Sequence, residues 1–168
     1  MKHNFQLYGV SLLVCVVVVL TGCKKKSNLP EDFPEVFQLK ITVTQNNAPL
    51  SGAMVSLKPV GQANKYANGC SAVTDATGIA SIKTFGQDGV PAGKYKILIS
   101  KSTDEGGTEV TDEFGGKSIV GAKVYSHVEK QYTVEETTPF EIDVAKGGEN
   151  SMTCDVGESV HIFLRNAS

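Results

Sequence analysis

The sequence predicts an all-β fold, a small antiparallel sandwich that follows an N-terminal signal helix, and three observations carry that prediction. Apolar residues alternate with polar ones over Phe37–Val43, over Ala80–Lys83 and again from Tyr95 to Ser100, the period of two expected of half-buried strands. Between two of those runs, Asp75-Ala76-Thr77-Gly78 forms a four-residue turn, with Asp able to cap its own backbone and Gly free to take positive φ. A chain of 168 residues, 40% hydrophobic and with 17 glycines, has room for one core and a targeting segment.

The targeting segment comes first. Lys2 and His3 make a short polar start, and Val10–Leu20 is an apolar run interrupted only by Ser11, too brief for a permanent membrane span and suited to the apolar stretch of a signal peptide. Leu20-Thr21-Gly22-Cys23 follows and resembles the bacterial lipobox, in which small residues precede a Cys whose thiol takes a diacylglycerol. The resemblance implies cleavage before Cys23, acylation of that thiol, and a partner in the membrane itself, bound through the acyl chains. Residues 1–22 are then the signal peptide, 23–35 a lipidated tether and 36–168 the domain. Each buried methylene adds about 0.8 kcal/mol and each adjacent lysine about 1 kcal/mol on an anionic leaflet, so Lys24, Lys25 and Lys26 serve the anchor. Ser27–Glu35, with two prolines and three acidic residues, shows no packing pattern.

The strands follow in order. Phe37, Leu39, Ile41 and Val43 face one side and Gln38, Lys40 and Thr42 the other. Gln45–Ala48 is a turn, and the next strand points Ala53, Val55 and Leu57 inward. Pro59–Gly69 reads as a loop, Cys70–Thr74 as a short third strand, and Tyr95, Ile97 and Ile99 as the inward set of a longer one. Asp104, Glu105, Glu109, Asp112 and Glu113, interleaved with glycines between Ser102 and Lys117, read as a solvated mobile loop; carboxylates at this density are also weak candidates for Ca²⁺, although the alternating spacing of a calcium loop is absent. Ile119–Tyr125 supplies an extra strand, Phe140, Ile142 and Val144 alternate in another, and Met152, Cys154 and Val156 face inward from the last core strand, with Val160–Leu164 at an edge.

Three of these stretches, Ala48-Pro49-Leu50-Ser51-Gly52-Ala53-Met54-Val55, Val73-Thr74-Asp75-Ala76-Thr77-Gly78 and Pro91-Ala92-Gly93-Lys94-Tyr95, resemble, in the same order, signatures of the carboxypeptidase regulatory-like or transthyretin-like (prealbumin-like) domain. Lys130–Phe140 and Gly147–Asn150 are similar to the C-terminal part of small bacterial lipoproteins carrying it. The likeness covers roughly Phe37 to Val156 and departs at Ala80, where the family has an aromatic, and in the acidic insertion. It implies a seven-stranded Greek-key sandwich, eight with the added edge, and in most members no catalytic residues and no cofactor.

Composition narrows the functions. Losing Lys2 with the signal leaves 15 basic against 18 acidic residues, and setting aside the three anchor lysines leaves 12 against 18, a balance of −6. Such a domain repels phosphate backbones, so nucleic acid is not an expected partner. No Trp and 7% aromatic residues argue against a ring platform for sugars or bases. His127 and His161 lie far apart in sequence without metal-ligand spacing. Gly116-Lys117-Ser118-Ile119-Val120 lacks the closing glycine of a nucleophile elbow, and Thr111 stands where a phosphate loop needs Gly. The hydroxyisourate hydrolases related to transthyretin end in Tyr-Arg-Gly-Ser; this chain ends Leu164-Arg165-Asn166-Ala167-Ser168, with Arg165 its only arginine. The expectation is a non-catalytic, lipid-anchored envelope protein, periplasmic or surface-facing, that meets an envelope protein or glycan. A carrier of a small ligand or Ca²⁺ is the alternative, and a hydrolase comes last.

Cys15 leaves with the signal and Cys23 is acylated, so Cys70 and Cys154 remain. An even pair in an exported domain points to a disulfide, closing a loop of 84 residues and contributing roughly 4–5 kcal/mol by chain entropy. The alternative is two buried thiols acting as small hydrophobes.

Overall fold

The structure, a computed structural model, describes residues 29–61 and 65–166. The expected signal peptide, Cys23 and the lysine run lie outside the described residues.

The chain is all-β. Its first half carries β1 (Val36–Phe37), β2 (Lys40–Gln45), β3 (Ala48–Pro49), β4 (Met54–Pro59), β5 (Ser71–Val73), β6 (Ile79–Ser81), β7 (Lys83–Thr84), β8 (Gln87–Asp88) and β9 (Val90–Pro91). Next come β10 (Gly93–Ser100), β11 (Ser102–Glu105), β12 (Thr108–Thr111), β13 (Lys117–Val120), β14 (Lys123–Ser126), β15 (Glu141–Val144), β16 (Ser151–Asp155) and β17 (Ile162–Asn166), with 3-10 turns at Lys65–Ala67 and Lys130–Tyr132. One sheet runs β15-β10-β4-β5-β7-β8. The other has β2 at its centre, flanked by β16 on one side and by β3 and β6 on the other.

The two sheets form a sandwich over a shared core. Leu39, Ile41 and Val43 of the first face meet Val55, Leu57, Tyr95, Ile97 and Ile99 of the second, every one of them buried, while Lys40 between them is exposed. The alternation in sequence is thus the alternation of faces. At about 25 cal/mol per Å² of apolar surface, this layer is the main source of stability.

The strands are shorter and more numerous than seven or eight. What reads as one strand from Ile79 to Thr84 breaks at buried Ile82: β6 pairs with β2 in one sheet and β7 with β5 and β8 in the other. The chain changes sheets there, as corners of sandwiches do. The first strand also breaks, because Phe37 belongs to β1, paired with β9. Gly89 closes that corner at φ +121, where a Cβ would fall 2.6 Å from the Phe37 carbonyl oxygen. One pairing is not antiparallel: β16 lies parallel to β2, Ser151 against Lys40 through Asp155 against Thr44. A parallel pair needs a long crossover, which the whole chain between these strands supplies.

Each motif of the turns has a physical task. Thr74 is buried between two turns; its hydroxyl donates to the Leu50 carbonyl at 2.6 Å and accepts from the Ala53 N–H at 2.8 Å. Asp75 Oδ1 accepts from the Thr77 hydroxyl at 2.6 Å and from the N–H groups of Thr77 and Ile79; these bonds, the Thr77 hydroxyl foremost, hold its carboxyl below the ordinary range. Gly78 takes φ +78, and a Cβ there would lie 2.6 Å from the Val43 carbonyl oxygen, so the turn admits only glycine. The buried Tyr95 hydroxyl donates back to the Pro91 carbonyl at 2.8 Å, which ties the start of β10 to the strand before it.

The expected disulfide is corrected. Cys70 and Cys154 are both free and both buried. The Cys70 thiol donates to the Ala67 carbonyl at 3.2 Å and sits 3.1 Å from the Thr84 hydroxyl, so its partners lie in its own sheet and the preceding turn. Cys154 packs inward from β16 beside Val43 of β2, and burial pushes its thiol up to about 12. They behave as two separate small hydrophobes.

The last residues of the expected tether, Asp32 to Glu35, meet the sandwich. Asp32 accepts from the Tyr66 hydroxyl at 2.6 Å and pairs with Lys65 at 2.5 Å, Glu35 pairs with Lys146, and the Phe33 ring meets those of Tyr66 and Phe85 at 5.1 and 6.3 Å. Asp32 to Glu35 are docked on the sandwich by polar and aromatic contacts that no periodicity announces.

Candidate functional site

The acidic insertion is not a loop. β11 pairs with β14 and β12 with β13, so Ser102–Ser126 is a long β-hairpin in two stages. Gly107 marks the joint: at φ +86, a Cβ there would meet Ile119 Cγ2 at 2.7 Å and the Ala122 nitrogen at 2.9 Å. Ala122, Val124, Ser126 and Val128 are buried at the base, and the Ser126 hydroxyl donates to the Val128 carbonyl at 2.7 Å.

Beyond that base every residue from Ser102 to Gly121 is exposed. β12 and β13 bond only to each other, as a two-stranded ribbon. Thr108 opposite Val120 and Val110 opposite Ser118 give one face without charge, while Glu109, Thr111, Lys117 and Ile119 form the other. Lys117 donates to Glu109 at 2.6 Å across that second face.

The turn at the end is built around Asp112. Its Oδ1 accepts from the N–H of Phe114 at 2.9 Å and of Gly116 at 2.7 Å, its own N–H donates to the Gly116 carbonyl, and its carbonyl accepts from Gly115. Gly115 supplies φ +81. The Phe114 side chain stands at the apex, 90% exposed.

The five acids singled out in the sequence are therefore spread along the hairpin. Asp112 caps the turn, Glu109 pairs with Lys117 and Glu105 lies 2.8 Å from His161 Nε2, while Asp104 sits opposite Val124 and Glu113 in the turn. Among the described residues no three His, Cys, Asp or Glu side chains are grouped to hold a metal ion. The two histidines, remote in sequence, do come together: β17 adds to β14, stacking His161 on Tyr125 at 4.0 Å and setting it 5.7 Å from His127, whose Nε2 lies 2.7 Å from the Thr103 hydroxyl. Strand pairing alone brings them there, which is why spacing did not reveal it. β17 leaves Ile162, Phe163 and Leu164 exposed.

Elsewhere the surface offers open concavities. One of about 320 Å³ is lined by Gln38, Leu39, Lys40, Ser81, Ile82, Asp88 and Gly89, and another of about 360 Å³ by Gln38, Lys40 and residues of the Gly148–Ser151 turn. Lys40 lines both, with Ser81 opposite it on β6 and Ser151 opposite it on β16. No family model matches the chain, and neither a curated protein nor a solved structure matches it.

Proposed function

We propose that the chain is a non-catalytic, lipid-anchored cell-envelope protein, a transthyretin-like or carboxypeptidase regulatory-like sandwich that presents its hairpin arm to an envelope partner. The observation that carries the reading is the arm itself: a ribbon exposed at every residue from Ser102 to Gly121, with apolar Val110, Phe114, Ile119 and Val120 in water. Isolated two-stranded ribbons are marginal in water, and aromatic side chains such as Phe114 are enriched at interfaces. The tasks found for Thr74, Asp75 and Tyr95 support the family likeness, since each motif ties a turn to a strand.

The arm starts at the end of β10 away from the chain's entry. The chain enters the sandwich through β1, paired with β9 just before β10 begins, and the arm leaves where β10 ends. Eight residues of strand, roughly 25 Å, separate entry from exit. A lipid on Cys23 would hold the entry end, leaving the arm free at the other.

Two readouts test this. A fatty-acid analogue should label the wild-type chain and not Cys23→Ala; equal label in both overturns the anchor. Mild extraction of the envelope should yield the wild-type chain in a larger complex that is lost when residues 106–121 are replaced by a short glycine linker. Equal masses for the two overturn the interaction role.

A further inference from the structure

We propose that Phe114 is the anchor of a protein–protein contact and that its partner offers an apolar pocket with a basic rim. The proposal rests on the interaction reading of the arm and names what the arm recognises.

Three observations converge on this residue. A phenyl ring at 90% exposure is left in water on a turn that has no need of it, since the hydrogen bonds of that turn are made by Asp112 and by main-chain groups. The backbone beneath it is held: Asp112 accepts two N–H groups, Gly115 takes φ +81, and Gly116 packs so closely that a Cβ would fall 2.6 Å from Asp112 Oδ2. Such preorganisation lowers the entropy lost on binding, and buried aromatic anchors dominate interfaces. Charge then selects the partner. From Ser102 to Gly121 there are five acids and one base, Lys117, which is paired with Glu109, so a ring flanked by Asp112 and Glu113 approaches positive surfaces and is repelled by anionic ones. Anionic lipid is disfavoured on the same ground. A symmetric contact between two arms would set like charges against each other, since each carries five acids and one base.

The experiment places a benzoylphenylalanine photo-crosslinker at position 114 or, as control, at position 85, whose native Phe is 64% exposed on the sandwich. The full-length chain is irradiated in the envelope of the cells that make it. Position 114 should give one adduct of defined mass at least about tenfold above position 85. That adduct should fall severalfold in high salt and with Asp112→Ala, and its cross-linked peptide should border Lys or Arg. A yield no higher than at 85, an adduct with a second copy of this chain or with lipid, or insensitivity to salt would overturn the proposal. Fatty-acid labelling is scored on the same sample. Loss of label with the adduct retained defeats the anchor alone, whereas a complex that needs residues 106–121 but gives no adduct at 114 defeats the Phe114 assignment alone.

Discussion

The sandwich and its arm are both built of paired strands, yet they are held by different forces. In β2, Ile41 and Val43 lose all their exposure, and the strand is paired on both sides. In β12 and β13 no residue is buried, and each strand has one partner. What remains for the ribbon is main-chain hydrogen bonding, the Asp112 turn and the Glu109–Lys117 pair, each worth about 1 kcal/mol or less when solvated. Burial specifies the sandwich, and local turn chemistry specifies the arm.

The largest expected effect breaks the sandwich. Leu39→Ala or Ile41→Ala should cost about 2–5 kcal/mol, through lost burial and the cavity left behind. Lys40→Ala, between them and exposed, should stay within about 0.5 kcal/mol. Denaturant unfolding measures all three, and a costly Lys40 would invert the faces.

Turn positions come next. Gly78→Ala must hold φ near +78 with a Cβ 2.6 Å from the Val43 carbonyl oxygen and should cost roughly 1–3 kcal/mol. Thr74→Val removes the donor to Leu50 and the acceptor for Ala53 inside the core and falls in the same range of about 1–3 kcal/mol. If Thr74→Val is neutral, the link between the two turns is not structural.

Much of this was legible because burial leaves a trace in sequence. The inward sets Ala53, Val55, Leu57 and Tyr95, Ile97, Ile99 could be read directly, and all are buried. The break at Ile82 could not, because a strand that changes sheets keeps its alternation while changing partners. The parallel β2–β16 pair was equally hidden, since one strand's faces say nothing of its neighbour's direction. The arm looked like a loop for a physical reason: with no face to bury, its residues need not alternate. Its clues were the glycines at the joint and Asp112 three residues before Gly115, which cap chemistry explains only once the strands are known. The pairing of Cys70 with Cys154 failed because an even count of cysteines says nothing of which neighbour each thiol meets.

Alkali should discriminate the two regions again. Burial, and to a lesser degree the nearby Cys70 thiol, pushes the Tyr95 hydroxyl from its ordinary 10.0 up to about 12, and burial raises Cys154 from 9.0 to about 12. Both groups are neutral when protonated, so between pH 9 and 12 the native chain keeps protons that the unfolded chain releases. Stability is full below pH 9 and falls as pH rises toward 12. Tyr95→Phe should flatten the part of that fall above pH 10. Unfolding midpoints that do not move up to pH 12 would mean that neither group is sealed in the core.

The smallest effect is expected in the arm, and it tests whether two regions exist at all. Phe114→Ser and Ile119→Ser remove apolar groups that are already in water, so neither transfer nor cavity terms apply and the unfolding midpoint should shift by no more than about 0.5 kcal/mol. Asp112→Ala should be as mild for the whole domain, because the two N–H groups it releases are exposed and turn to solvent. Its effect is local: amide exchange at Phe114 and Gly116 should accelerate while that of Ile41 and Ile97 stays unchanged. A loss above 1 kcal/mol from Ile119→Ser would show that the ribbon lies against the sandwich, and exchange rising in both regions together would show one cooperative unit. Either result removes the reason for an exposed Phe114, because a ring supported by its own domain needs no partner.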